Sequence, residues 1–105
     1  MRTELLDMVG GDEGVLREIV ALFLEDVPVR LAELRQALDA GDLTATYRAA
    51  HTLKGSAGNF GVKAITDAAL TVERHAREQN LAAARTAAQT LEAELDLLVR
   101  ELSDL

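Results

Sequence analysis

Cysteine is missing from all 105 residues, so the chain has neither a disulfide framework nor thiol chemistry, and a reducing compartment is the natural expectation. Tryptophan is missing too, and Phe23, Tyr47 and Phe60 are the whole aromatic complement. Stacking platforms for single-stranded nucleic acid are therefore absent, and any core must be aliphatic. Nor is there an excess of positive charge: 18 acidic against 11 basic side chains leave a net charge of −7. That balance argues against nucleic acid as a partner, because a basic patch normally supplies the affinity. No apolar run approaches the roughly 20 residues that a membrane span needs, and Met1 to Asp7 contains no stretch of signal-peptide type. The expectation is a soluble, cytoplasmic monomer that works with proteins and docks to neither nucleic acid nor membrane.

What is present is helical periodicity from end to end. The length suits a single domain over residues 1–105, large enough to bury a core without metal or disulfide staples. Turn-forming residues divide the chain into five segments, and none shows the alternation of a strand. A short one runs from Thr3 to about Val9, is stopped by Gly10-Gly11 and should pack as a lid. Asp12 is a candidate N-cap for a long segment to about Ala40, with Val15, Ile19, Leu22, Phe23, Val27, Leu31, Leu34 and Leu38 as its apolar positions. Pro28 lies inside it and predicts a kink near Leu24 to Val27 in preference to a break. Gly41-Asp42 and Gln79-Asn80 read as stop-and-cap pairs. Short links between long amphipathic helices imply antiparallel neighbours. Segments 12–40, 42–59, 61–79 and 80–104 should therefore form an all-α, up-down-up-down four-helix bundle with a short N-terminal helix. The last carries the plainest stripe: Leu81, Ala84, Ala88, Leu91, Leu95, Leu98 and Leu102.

The run His51-Thr52-Leu53-Lys54-Gly55-Ser56-Ala57-Gly58-Asn59-Phe60-Gly61 carries the chemistry. On a helical wheel Leu43, Thr46, Ala50, Leu53, Ala57 and Phe60 cluster on one side, and His51 points away from them into solvent. Gly55 lies one turn on from His51, Gly58 two turns on, and Arg48 about one turn back. A glycine inside a helix costs about 1 kcal/mol relative to alanine. At Gly58 that cost is explained equally well by the start of unwinding. Gly55 points away from the bundle, so it instead leaves room beside the imidazole for a bulky group or another protein's backbone. Lys54, three residues from His51, offers a flexible ammonium within reach of a phosphoryl group.

With Lys54, Gly55, Gly58 and Gly61 in this order after His51, the run resembles the phosphorylation motif of histidine-containing phosphotransfer domains, approximately His-x-Leu-Lys-Gly followed by small residues and an apolar-Gly pair. The short leading helix, the long proline-interrupted helix and the motif on the second long helix of a bundle are similar as well. The resemblance implies a phosphorelay carrier without a kinase site of its own. His51 would take a phosphoryl group through Nε2 from a receiver-domain aspartate, or from a histidine kinase, and yield it to another receiver. Lys54 would be its charge partner, and Gly55 the gap that admits the receiver. Imidazole as a group suits this work, since a neutral ring nitrogen is available near neutral pH and the phosphoramidate it forms is reactive. The implied partners are response-regulator receiver domains or a hybrid histidine kinase. No cofactor belongs to this chain, and magnesium is expected on the receiver.

Three further residues sit near this surface. Glu73 lies on the next segment, and in some chemotaxis-kinase relatives an acidic residue at the corresponding place holds the other ring nitrogen; a solvent-facing glutamate is the equal alternative. Leu70 falls opposite the core stripe of Ile65, Ala69, Val72 and Ala76, which makes it, with Arg48 and Gly58, a candidate for partner docking. His75 reads as surface, and the alternating charges Glu73-Arg74 and Arg77-Glu78 as a solvated face. Two rivals stand beside the carrier. A metal site from His51, Glu73 and His75 would need inward-facing ligands, whereas His51 faces out. A non-catalytic adaptor recruiting partners through the Leu70 and His51 face would need no chemistry at all. An ATP-using kinase is opposed: Gly55-x-x-Gly58-x-x-Gly61 follows no strand and lacks the ending of a phosphate loop.

Overall fold

Asp12, Asp42 and Asn80 each turn a side-chain oxygen onto the first free amides of the helix that follows. Asp12 accepts from the N–H groups of Gly14 and Val15 at 2.9 and 3.1 Å. Asp42 accepts from Ala45 and Asn80 from Ala83, both at 3.0 Å. In the computed structural model, which describes all 105 residues, these caps open three of five α-helices. They are α1 (Arg2–Met8), α2 (Glu13–Asp39), α3 (Leu43–Ala57), α4 (Lys63–Arg77) and α5 (Leu81–Ser103), with a 3₁₀ turn at Gly58–Phe60 between α3 and α4. No strand occurs, and no helix is long and apolar enough to cross a membrane.

The four long helices pack in a closed ring, α2 on α3, α3 on α4, α4 on α5 and α5 back on α2. This is the antiparallel up-down-up-down bundle, 44 × 21 × 18 Å in extent. Its centre is aliphatic, with Leu34, Leu53, Ile65, Val72, Leu91 and Leu95 sealed from solvent. Phe23 of α2 and Phe60 of the 3₁₀ turn, ring centroids 4.7 Å apart, close the end where α3 passes into α4. Leu5 fastens α1 to the same core.

Helix α2 runs unbroken through Pro28, so the alternative of two separate helices does not hold. The apolar set expected for α2 differs from the buried one. Val15 and Leu22 are exposed, and Leu16, Val20 and Ala37 are buried in company with Phe23, Val27, Leu34 and Leu38. Apolar residues cover more than half the circumference of α2, so two stripes of helical spacing coexist and only packing decides between them. The ends of α3 and α4 shift for a local reason. Gly61 sits at φ +64°, a left-handed position that ends the 3₁₀ turn, and α4 starts two residues later than the pattern suggests.

Candidate functional site

His51 lies in the interior of α3, and its side chain is 61% exposed, as the wheel requires. Across the α3–α4 groove stands Glu73, and of its two readings the structure takes the one in which it turns to the histidine and not to solvent: its side chain is 6% exposed. Its Oε1 lies 2.8 Å from Nδ1 of His51. Lys54 Nζ donates to the same carboxylate, at 3.1 Å to Oε1 and 2.9 Å to Oε2. One carboxylate thus serves a histidine and a lysine from adjacent turns of α3.

The electrostatics follow from this sharing. Burial by itself pushes the Glu73 carboxyl up. The hydrogen bonds from Lys54 and His51, together with the charges of both, outweigh burial and hold it below the ordinary glutamate range. An ionised carboxylate can only accept, so in the neutral imidazole Nδ1 must carry the proton. The lone pair is then on Nε2, the nitrogen left without a protein partner on an exposed ring.

The surface around Nε2 is bare. A Cβ built on Gly55 or Gly58 meets nothing within 4 Å, so neither glycine is there to let another helix approach. Gly58, at the end of α3, has ordinary right-handed angles. Leu70 on α4 is 46% exposed, and Arg48 on α3 is exposed with no carboxylate beside it. On the other flank, Ser56 donates to Asp26 of α2 at 3.3 Å. There Ile19, Leu22 and Val29 line a shallow groove beside Ser56, Asn59 and Phe60. Leu22 is 65% exposed, and it was hidden from the sequence reading by its assignment to the core.

Two site neighbours escaped the sequence reading altogether. Tyr47, one turn before His51, lays its ring parallel to the imidazole, 8° between planes with centroids 6.0 Å apart. Its hydroxyl accepts from Arg77 Nη2 at 2.6 Å, so Arg77 is not a free member of a charged face. The four-residue spacing of Tyr47 and His51 was the available signal. His75 stands apart from the group, with Nδ1 3.2 Å from Glu78. It therefore does not join His51 and Glu73.

The chain is thus an antiparallel four-helix bundle that presents an exposed histidine held by a buried acid. A family model for the Hpt domain matches residues 18–101, and the chain belongs to that family. Hpt domains carry phosphoryl groups in phosphorelays, are not kinases, and interact with receiver domains and histidine kinases. Among solved structures, a histidine-containing phosphotransfer protein from maize matches with a TM-score of 0.84 at 23% sequence identity, over 98% of this chain and 76% of that one. That likeness establishes the fold. No curated protein matches the sequence.

Proposed function

We propose that His51 is the phosphorylated residue and that the protein carries phosphate between receiver domains. The observation that carries this reading is the hydrogen bond that Nδ1 donates to the ionised Glu73, which leaves the Nε2 lone pair free on an exposed ring beside the open surface at Gly55. Nε2 attacks the phosphorus of a receiver phospho-aspartate, or of the phosphoryl group that a histidine kinase presents. The N–P bond forms as the bond to the donor atom breaks, and the donor group leaves with the electron pair. Attack on phosphorus by a fresh aspartate reverses the process. The proton on Nδ1 stays on the Glu73 side throughout, where the carboxylate stabilises the positive charge the ring acquires.

Lys54 is bonded to Glu73 in the resting state and is the group that responds. Its ammonium can turn from Glu73 toward phosphoryl oxygens one helical turn away. Moderate binding suits a carrier, because a tightly caged phosphoryl group would not be passed on. Magnesium and the remaining transfer machinery belong to the receiver in this reading. The receiver docks over Gly55 and Gly58, with Arg48 and Leu70 on one flank and the apolar α2 face at Leu22 on the other.

The test mixes the protein with phosphorylated receiver domains and follows acid-labile phosphate. Wild type should gain label, and the His51→Gln variant should still bind receivers yet gain none. Label on His51→Gln at the wild-type level would remove His51 from the role. Receiver binding without transfer to either protein would favour the adaptor.

A further inference from the structure

The His51–Glu73 hydrogen bond secures one atom of an exposed ring, and one bond leaves the ring plane free to rock about it. The structure supplies a second restraint. Tyr47 stands one turn before His51 on α3, and Arg77 one turn after Glu73 on α4, so the two pairs are successive rungs across the same helix pair. The Tyr47 ring lies nearly parallel to the imidazole at an offset spacing of 6.0 Å, within the range of favourable aromatic contact. Tyr47 is itself secured. Arg77 donates to its hydroxyl at 2.6 Å, and the guanidinium carbon lies 4.8 Å from the ring centroid. No carboxylate competes for Arg77, which leaves tyrosine as its partner in the bundle.

From this geometry we propose that Tyr47, held by Arg77, is a positioning residue that fixes the plane of the His51 imidazole and hence the direction of the Nε2 lone pair. The inference rests on the carrier reading of His51. In-line attack needs the lone pair, which lies in the ring plane, aimed along the breaking P–O bond. A ring that rocks spends less time in that alignment. Tyr47 makes no bond to the phosphoryl group and takes no proton.

Three variants and two readouts test the proposal. Tyr47→Leu keeps bulk and removes the flat face, Tyr47→Phe keeps the face and loses the Arg77 bond, and Arg77→Gln loosens the ring from the other side. In single-turnover transfer from a phosphorylated receiver, Tyr47→Leu should lower the saturating rate about tenfold with the half-saturating receiver concentration unchanged. Tyr47→Phe should recover most of that rate, and Arg77→Gln should fall between. By proton NMR, the ring-current shift that Tyr47 imposes on the His51 ring protons should persist in Tyr47→Phe and vanish in Tyr47→Leu. A saturating rate for Tyr47→Leu equal to wild type overturns the proposal, as does a change confined to half-saturation, which would make Tyr47 a docking residue. If wild type accepts no phosphate, the carrier reading falls instead; the NMR shifts then still report whether Tyr47 orders the ring, and a wild-type spectrum unchanged in Tyr47→Leu overturns that too.

Discussion

Glu73 accepts from two donors at once, Nδ1 of His51 and Nζ of Lys54. With Lys54 in place the carboxylate stays ionised despite its burial, and an ionised carboxylate keeps the imidazole proton on Nδ1. Glu73→Gln keeps an oxygen that can accept from Nδ1 but loses the charge, and its amide can also flip. We expect the saturating rate of phosphoryl transfer to fall roughly 10- to 100-fold through loss of orientation and charge stabilisation. Stability should change with pH in a defined direction. The folded pKa of Glu73 lies below the ordinary value of 4.5, so the unfolded chain binds the proton first. The contribution is fully present above the ordinary value and is lost as pH falls through the folded one. Urea midpoints measured from about pH 7 down to about pH 3 should show wild type ahead of Glu73→Gln at neutral pH and the gap closing in acid. A gap that widens in acid would contradict the assignment. Gly55 offers a second residue-scale test. Gly55→Ala should raise stability by about 1 kcal/mol, since the position is helical and open. Gly55→Gln should fold well and yet raise the receiver concentration needed for transfer, because the added side chain would occupy the proposed docking surface.

Among the elements, the α3–α4 hairpin sets the site, and its far end contains an avoidable strain. Gln79 follows α4 at φ +59°, a left-handed conformation that costs an L-residue about 1–2 kcal/mol. The amides of Gln79 and Asn80 reach back to the carbonyls of Ala76 and His75 at 3.2 and 3.0 Å, the pattern that Gly41 and Asp42 repeat after α2. Gln79→Gly should therefore stabilise by about 1 kcal/mol and raise the melting temperature by about 4–8 °C for a domain of this size, measurable by calorimetry. Helix boundaries at Asp12, Asp42 and Asn80 were legible in the sequence because capping is local chemistry. So was the outward face of His51, because α3 has a single narrow apolar stripe. The phase of α2 was not, since its apolar residues suit two faces. The His51 contact of Glu73 was legible only as one of two equal readings, because the choice depends on how two helices rotate against each other, which no one-helix wheel contains. The Arg77 contact with Tyr47 was missed for the same reason, whereas Tyr47 beside His51 was within reach of the α3 wheel through its four-residue spacing.

For the whole molecule, the absence of cysteine and the scarcity of aromatics leave cohesion to interdigitated aliphatic side chains. Leu91 of α5 is fully buried at the centre, among side chains from the other helices. Leu91→Ala should cost about 2–5 kcal/mol in urea unfolding, through lost transfer energy and the cavity left behind. A cost below 1 kcal/mol would mean that the bundle is less tightly packed than described. The acidic balance of the chain is unevenly used. Arg48, Lys54 and Arg77 lie on the two helices that carry His51 and Glu73, on a protein of net charge −7, and under the proposed function these cations suit an anionic phosphoryl group in transit.

In the proposed function Glu73 leaves Nε2 of His51 as the reactive atom, and the isomer of the phosphohistidine tests that directly. After phosphorylation by a receiver, phosphorus and nitrogen NMR on labelled protein should find a single phosphoramidate, on Nε2 of His51, with Nδ1 still protonated against Glu73. Phosphate on Nδ1, or on His75, would contradict it.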